Sequence, residues 1–305
     1  MTETVTPIAA GAPASGVAAL PQLGVIRVRG EDAASFLQGQ LTQDMAQTKP
    51  GEARLAALCN PKGRVRASFI ACRRAADEFW LVCSRDLLAA TLKRLSMFVL
   101  RAKARLDDAT AELALHGLVG DAATSVGGPV NAFIAPLPPA DGVARALWIG
   151  GAGDASPAGP TLTAELWDWL AVRSGVATVT APVAEAFVPQ MLNYESTDGV
   201  NFKKGCYPGQ EVVARSQFRG AIKRRAYVAR VNGAAQAGDD VFSAADPEQP
   251  VGQIAQAAPA PQGGSAVIAV LQVAEAAPGA VLHVGSAAGP ALTELAIPYP
   301  LAEDI

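Results

Sequence analysis

The sequence predicts an α+β protein that ends in a small all-β unit. Helix-like and strand-like segments alternate irregularly as far as Arg225. Beyond it only short strand-like segments follow, separated by glycine and proline turns, and this spacing is typical of an antiparallel barrel of about 75 residues. With 305 residues the chain is long enough for two or three units that each bury a core.

Apolar residues that alternate with polar ones predict strands, and apolar residues that recur every three or four positions predict helices. In the α+β part the predicted strands cover residues 23–29, 65–72, 78–83 and 107–117, with short strands near 132–134 and 146–149. The predicted helices cover residues 30–39, 86–100 and 163–173. Gly175 closes the last helix, because glycine adopts the left-handed backbone that follows many helix ends. In the all-β part the predicted strands cover residues 226–231, 240–242, 251–255, 266–273 and 281–284.

Residues 1–16 are mainly Thr, Ala, Pro and Gly. They lack the basic start and apolar centre of a signal peptide and predict a disordered leader. We therefore expect three parts: the leader, a large α+β unit at residues 17–225 with two subdomains, and a C-terminal barrel at residues 226–305. No apolar stretch is long enough, and free enough of proline and glycine, to predict a membrane span.

Cysteine and histidine usage argues against a metal site. The four cysteines, Cys59, Cys72, Cys83 and Cys206, show no C-x-x-C spacing, and the chain has two histidines. Cys72 and Cys83 fall inside predicted strands, where a cysteine is a small core residue. We predict no bound metal and no disulfide, and a reducing compartment, the cytoplasm.

The stretch 203–211 reads KKGCYPGQE, and its glycines and proline predict a tight loop rather than a helix or a strand. It opens a basic segment, since residues 203–230 carry eight Lys and Arg against the single acid Glu211, in a chain whose net charge is −3. Such a field would attract an anionic small molecule or an acidic partner. It would also favour the thiolate of Cys206, which is the reactive form. The alternative interpretation is a solvated basic loop with an incidental cysteine.

The octet from Lys204 to Glu211 resembles the K-G-C-[YF]-x-G-Q-E signature of the YgfZ family of folate-binding proteins, which are related to the T-protein, the aminomethyltransferase of glycine cleavage. Other segments of that family follow in the same order: FLQGQLTQD at 36–44, NPKGR at 60–64, PQMLN at 189–193 and the basic run at 220–225. The resemblance covers nearly the whole chain from about Val17. It implies a T-protein-like multidomain fold with a central channel for tetrahydrofolate and a small C-terminal barrel.

The resemblance also implies a role in the assembly or upkeep of iron–sulfur enzymes, including ones that modify tRNA. Glu195 lies where T-protein-like sequences resemble one another around a pterin-binding glutamate, and Arg225 is the candidate partner of the anionic folate tail. Cys206 is the candidate functional thiol, with Lys204 as its basic neighbour. Further candidates for folate binding within the octet are Tyr207, Gly209, Gln210 and Glu211.

One departure from the T-protein pattern bears on catalysis. T-proteins resemble one another in an acidic pair shortly after a glycine, in the segment comparable to residues 62–67. Arg66 and Ala67 occupy those places here, so the carboxylate for acid–base chemistry is missing. A folate-binding accessory protein is therefore the first hypothesis. A folate-dependent aminomethyltransferase of the T-protein type is the second, and whether the protein turns over a substrate stays open.

Two further hypotheses have less support. A cysteine hydrolase would need a histidine beside Cys206, and neither His116 nor His283 is near it in sequence. Direct binding of nucleic acid is not expected, because the basic segment contains too few aromatic residues for a stacking platform. A single cysteine cannot hold an iron–sulfur cluster, which takes four protein ligands, so any cluster would be shared with a client protein.

Overall fold

The computed structural model describes residues 15–125, 132–218 and 221–302. In these ranges two five-stranded sheets and a closed six-stranded barrel are linked by short helices. The strands are β1 (Gly16–Ala19), β2 (Leu23–Arg29), β3 (Ala53–Cys59), β4 (Val65–Ala75), β5 (Glu78–Ser84), β6 (Arg105–Asp108), β7 (Leu113–Val119), β8 (Phe133–Ala140), β9 (Val143–Gly151), β10 (Thr161–Leu162), β11 (Arg224–Val231), β12 (Asp240–Ser243), β13 (Asp246–Pro259), β14 (Ser265–Gln272), β15 (Leu282–Val284) and β16 (Ala291–Ala296). The helices are α1 (Ala33–Gln38), α2 (Arg85–Ser96), α3 (Asp121–Thr124), α4 (Ala164–Arg173) and α5 (Gln210–Phe218), with 3₁₀ turns at Ala181–Val183, Pro189–Leu192 and Val273–Glu275.

The first sheet has the strand order β3-β4-β5-β2-β6 and is antiparallel throughout. Helix α2 follows β5 directly, and Ser84 Oγ donates a hydrogen bond to the Asp86 carboxylate at the start of the helix. Leu88 of α2 packs on the sheet where Gly24 leaves room, since an added Cβ there would lie 2.4 Å from its side chain. The helix thus covers one face of the first sheet.

The second sheet has the strand order β10-β1-β7-β9-β8, and only the short pair of β1 and β10 is parallel. Helix α4 begins at Thr163, whose side chain accepts a hydrogen bond from the Leu166 N–H at 3.2 Å, an N-cap. An added Cβ at Gly117 would lie 2.2 Å from the Trp167 ring, so this ring packs directly on the backbone of β7. Helix α4 also contacts β13 and β14, and it therefore lies between the second sheet and the barrel.

The barrel closes in the order β11-β14-β13-β12-β15-β16, with β16 returning to pair with β11. Strand β14 is buried from Ser265 to Leu271, as expected of a strand flanked on both sides. The apolar interior of the barrel forms a cluster of its own. One outer face of the barrel, through residues such as Val228, Ile268 and Val270, belongs instead to the large cluster that also fills both sheets. The three parts of the molecule therefore meet at one shared core.

The structure confirms the α+β fold with a small C-terminal antiparallel barrel. The predicted helix at 86–100 is too long: it ends at Ser96, because Phe98 N donates to Leu95 O in a tighter turn, and Met97 and Leu100 are exposed. Residues 1–14 of the predicted leader lie outside the described residues, and Gly16 already belongs to β1. The octet is not all loop either, because Gln210 and Glu211 begin α5.

Six elements were not predicted, β1, β3, β10, β16, α3 and α5, and β6 and β7 were predicted as one strand. Strands β1 (GVAA) and β16 (ALTELA) are rich in alanine, which is depleted in strands. Their pairing partners, not their own residues, hold them in the sheets. None of the helices in the described part of the chain is long and apolar enough to cross a membrane.

Candidate functional site

The sequence octet lies at the end of an irregular loop, residues 201–209, which we call the signature loop. Lys204 anchors it: Nζ donates to the carbonyl oxygens of Gln38 at 2.6 Å and Leu41 at 2.5 Å. The ammonium also lies 5.0 Å from the centre of the Tyr207 ring, within the range of a cation–π contact. Burial lowers the pKa of Lys204 to about 8, because desolvation outweighs the attraction of Asp44.

Gly209 fixes the end of the signature loop against the NPKGR turn. Its φ of +81° is left-handed, and an added Cβ would lie 2.4 Å from Asn60 O and 2.7 Å from the backbone of Gly63. The turn is braced from within, because Asn60 Oδ1 accepts from the N–H groups of Lys62 at 2.9 Å and Arg64 at 3.1 Å. Segments that are distant in sequence, FLQGQLTQD and NPKGR, thus hold the signature loop from two sides.

Cys206 is the exposed cysteine of the chain, whereas Cys59, Cys72 and Cys83 are buried. Burial raises the pKa of the Cys59 and Cys83 thiols to about 12 and that of the Cys72 thiol further. These three thiols are therefore protonated and unreactive at neutral pH. Lys204 is buried and bonded to carbonyl oxygens, while Cys206 faces outward. The predicted role of Lys204 as the basic neighbour of the thiol stays a prediction.

The other octet candidates fall in different environments. Tyr207 is buried, and burial raises the pKa of its hydroxyl. Gln210 and Glu211 form the first turn of α5, where Glu211 accepts a 2.6 Å bond from Arg215 one turn later, with both side chains exposed. The octet is thus a well-anchored support that presents one thiol.

Glu195 and Arg225 are brought together by the PQMLN segment. Arg225 Nη1 donates to Glu195 Oε1, and the Glu195 side chain is fully buried. Asn193, in the left-handed region at φ 56°, donates from Nδ2 to Ala226 O at 2.8 Å, so the same segment is joined to β11. Ser196 Oγ also donates to Glu195 Oε1 at 3.0 Å, whereas Oε2 has no hydrogen-bond partner among the described residues.

A central cavity of about 300 Å³ lies where the two sheets, α4 and the barrel meet. Its wall is mostly apolar and includes Leu55, Phe69, Ile70, Val82, Leu147 and Trp167. None of the residues predicted to bind folate or to act as the thiol is on this wall. Glu195 and Arg225 neutralise each other and do not line this cavity, and their contact with folate stays a prediction.

The polar groups of the cavity wall come from residues that the sequence did not single out. Arg145 of β9 is buried and stacks on Trp167, with its guanidinium carbon 4.3 Å from the ring centre. Asp168 of α4 accepts a 2.8 Å bond from Gln22 Nε2. Burial lowers the pKa of Arg145 to about 9 and raises that of Asp168. The only signal in the sequence was a lone arginine among the apolar residues of β9.

An ion pair is found at the position of the missing carboxylate. Arg66 bonds to Glu185 Oε1 at 2.6 Å, and Asn60 Nδ2 donates to Glu185 Oε2 at 2.8 Å. Arg66 is on the same side of β4 as Ser68 and Ile70, which line the cavity. A neutralised cation therefore occupies the place where T-proteins are expected to carry an acid. In the described ranges no three His, Cys, Asp or Glu side chains cluster as metal ligands.

Comparisons with known proteins place these features in context. A family model, the GCVT N-terminal domain, matches residues 10–131. The tRNA-modifying protein YgfZ of Enterobacter sp. (strain 638) is 32% identical over 70% of this chain and 72% of its own length. The protein of the same name from Cronobacter sakazakii is 30% identical over 70% and 71%.

A comparison of solved structures gives the same fold. The crystal structure of glycine cleavage system aminomethyltransferase T from Bartonella henselae matches 95% of this chain and 86% of its own, with a TM-score of 0.64. The sequence identity is 18%, so the match establishes the T-protein-like fold and not a shared reaction.

Proposed function

The chain belongs to the YgfZ family, and on that premise we propose that it binds tetrahydrofolate and supports iron–sulfur enzymes, among them enzymes that modify tRNA. The central cavity is the observation that carries the folate part of the proposal. Ligand sites are enclosed, mostly apolar and supplied with a few convergent polar groups. The cavity has this composition, and it lies at the junction of all three parts of the fold.

The residues present suit a reduced folate. The aromatic and aliphatic wall, with Phe69, Ile70 and Trp167, can cover the faces of a flat ring. Arg145 and Asp168 supply a buried guanidinium and a half-buried carboxylate to the same wall. A pterin carries donors and acceptors along one edge and can pair with both. Bound folate would supply one-carbon chemistry, while this chain's residues bind and orient it.

The signature loop supports the second half of the proposal. It holds Cys206 at the surface on a support fixed by Lys204 and Gly209. A rigid, exposed thiol can reach the metal or a cysteine of another protein, whereas the buried thiols cannot. Since a cluster needs four ligands, Cys206 would contribute one ligand next to those of a client protein.

Aminomethyl transfer of the T-protein type is the less favoured function. The shared fold is compatible with it, but the pair of Arg66 and Glu185 replaces the expected carboxylate on β4. A proton acceptor beside the reacting carbon would have to come from elsewhere. An assay for glycine-cleavage coupling with a lipoyl carrier protein is expected to show no transfer.

Filling the cavity tests folate binding directly. Ala171 lines the cavity on α4, and Ala164, on the same helix, does not. We expect calorimetry to show tetrahydrofolate binding to the wild type, at least about tenfold weaker binding to Ala171→Phe, and wild-type binding to Ala164→Phe. Thermal unfolding of all three proteins checks that each is folded. A wild type that binds no reduced folate, or equal binding by Ala171→Phe, would contradict the proposal.

A further inference from the structure

Phe218 is an exposed aromatic residue at the end of α5. It is 58% exposed, although its ring contacts that of Phe202, with the ring centres 5.4 Å apart. Val213 is the buried residue of this helix, and Phe218 lies about 140° round the helix from it, so the ring points away from the core. The pair of rings therefore keeps apolar area in solvent. Exposed aromatic residues of this kind are enriched at the centres of protein interfaces.

The signature loop places this pair of rings near the exposed thiol. Phe202 lies at the start of the loop and meets the last residue of α5, while Gly209 ends the loop and leads into the first. The loop therefore returns along the helix, which is about 13 Å long. The Cα atom of Cys206 lies at most about 14 Å from that of Phe202 and about 11 Å from that of Gly209, the reach of the chain between them. A standard interface is about 30 Å across on each partner, so one interface would cover the thiol and both rings.

The signature loop and the NPKGR turn add positive charge around the thiol. Lys203 is in the loop, and Lys62 is in the turn, which touches the start of α5 because an added Cβ at Gly63 would lie 3.0 Å from Val212. Both lysines are exposed, and neither has an ion pair among the described residues. The exposed acid of α5, Glu211, is already bonded to an arginine of the same helix at 2.6 Å. This surface is therefore basic in a chain whose net charge is −3.

We propose that this surface binds the iron–sulfur protein that the thiol serves, and that the partner presents an apolar pocket surrounded by acidic residues. We call it the docking face, and its residues are Lys62, Phe202, Lys203, Cys206 and Phe218. The assignment rests on the proposed support of iron–sulfur enzymes, and it names the surface that recognises them. Phe218 enters the pocket, the lysines meet carboxylates, and the contact brings the thiol to the surface of the partner. Complementary charge orients the two proteins as they associate.

Two other occupants fit the docking face less well. In a symmetric dimer of this chain the same surface of both copies would meet, and the lysines would repel one another. Nucleic acid would be attracted by the lysines, but Phe218 is a single exposed ring, and binding by stacking needs several such rings in a row. An acidic protein with an apolar pocket matches both the charge and the exposed ring.

Complementation of a deletion strain from the native promoter tests the docking face, with nucleoside mass spectrometry as the readout. We expect Phe218→Ser and Lys203→Glu each to lower iron–sulfur-dependent tRNA modification at least about tenfold relative to the wild type. Val281→Ser is the matched control for the ring, because Val281 is 56% exposed on the barrel. Lys93→Glu, at an exposed position of α2, is the control for charge. Both controls should restore the wild-type level.

The purified proteins separate docking from the other roles. Phe218→Ser should keep the wild-type affinity for tetrahydrofolate and the wild-type rate of Cys206 alkylation, and a loss of either would overturn its role in docking. If Phe218→Ser does not fold, the exposed Lys203→Glu decides. A wild-type dimer that Phe218→Ser separates in light scattering, or binding of purified tRNA that Lys203→Glu abolishes, would assign the face to another occupant and overturn the proposal. A wild type that restores no modification refutes the support of iron–sulfur enzymes itself, whereas full restoration by both variants refutes only the docking face.

Discussion

Lys204 and Cys206 are two positions apart in the octet and meet opposite environments. Lys204 extends into the protein and bonds to the carbonyl oxygens of Gln38 and Leu41. Cys206 faces outward on the loop that this bond holds in place. The lysine therefore supports the thiol through the backbone of the signature loop. The basic character of the octet does not by itself describe the surroundings of the thiol.

Cys206 should be the reactive cysteine. At neutral pH we expect a thiol-alkylating reagent to label Cys206 first, with Cys59, Cys72 and Cys83 labelled only after unfolding, because burial keeps those thiols protonated. Peptide mass spectrometry over a time course measures the order. Comparable early labelling of any buried cysteine would contradict the assignment.

The role of that thiol can be tested in a cell. In a deletion strain, Cys206→Ala should fail to restore iron–sulfur-dependent tRNA modification, while Cys59→Ala serves as the control for loss of a buried thiol. Full complementation by a folded Cys206→Ala protein would show that the loop acts through its backbone alone.

Lys204 should give the protein a measurable pH dependence. Its pKa falls from 10.5 to about 8 on folding, because burial disfavours the ammonium. Between these values the unfolded chain binds a proton that the folded chain does not, so the free energy of unfolding rises with pH through this window. The slope is at most about 1.4 kcal/mol per pH unit. The three buried thiols oppose this slope above about pH 9, because there the folded chain holds protons that the unfolded chain has lost. The contribution of Lys204 is therefore a difference: urea titrations at several pH values should show a more positive slope in the wild type than in Lys204→Met. The exposed Lys203→Met should keep it, and a slope shared by Lys204→Met would exclude Lys204 as its source.

At the scale of elements, the NPKGR turn and the signature loop depend on their mutual contact for their conformation. An alanine at Gly209 would meet Asn60 O at 2.4 Å and would need a left-handed backbone, whereas Gly205 in the same loop has no heavy atom within 4 Å of an added Cβ. We expect Gly209→Ala to lower the free energy of unfolding by at least about 2 kcal/mol. Gly205→Ala should change it by less than about 0.5 kcal/mol. Denaturant unfolding measures both, and equal effects would show that the contact of the two turns is unimportant.

The sequence predicted the elements that carry their own pattern and missed those that depend on partners. β2, β5 and α4 could be placed because alternation, helical spacing and the glycine after the helix end, Gly175, are local signals. β16 has an alanine-rich sequence and forms only because β11 and β15 offer it two edges. Helix α5 was missed as a whole, because the glycines and proline of the octet predicted a loop as far as Glu211 and no helix was predicted after it.

At the scale of the whole molecule, the candidate site also has one part that the sequence reveals and one part that only the fold reveals. The octet could be found by its residues, since they are contiguous. The cavity could not, because Gln22, Arg145 and Asp168 come from separate segments, and the one local signal, an arginine among the apolar residues of β9, does not point to the other two. The resemblance pointed to Glu195 and Arg225, which the fold pairs with each other.

The Glu195–Arg225 ion pair should stabilise the contact between the PQMLN segment and the barrel. Glu195→Gln leaves the buried Arg225 guanidinium without its anion and should lower the free energy of unfolding by about 3 kcal/mol. Replacing both, as in Glu195→Gln with Arg225→Met, should recover part of this loss. The exposed pair of Glu211 and Arg215 is the matched control, and Glu211→Gln should cost less than about 1 kcal/mol.

The folate affinity of Glu195→Gln distinguishes a role of Glu195 in stability from a direct contact with the ligand. If Glu195 only secures the barrel, the folded Glu195→Gln protein keeps its affinity for tetrahydrofolate in calorimetry. A loss of affinity with unchanged stability would support Glu195 as a pterin-binding residue and would exclude the stabilising role of the ion pair.

The placement of β1 has a consequence for how the chain is made. Val17 pairs with Leu118 on one side and with Thr161, 144 positions later, on the other. At a synthesis rate of about 5–20 residues per second, this strand emerges from the ribosome about 7–30 s before its second neighbour exists. Meanwhile β2, which follows it by three residues, can already pair with β5 in the first sheet. The nascent protein thus carries an unpaired strand edge throughout this interval, and a chaperone that binds emerging chains can act on it during that time.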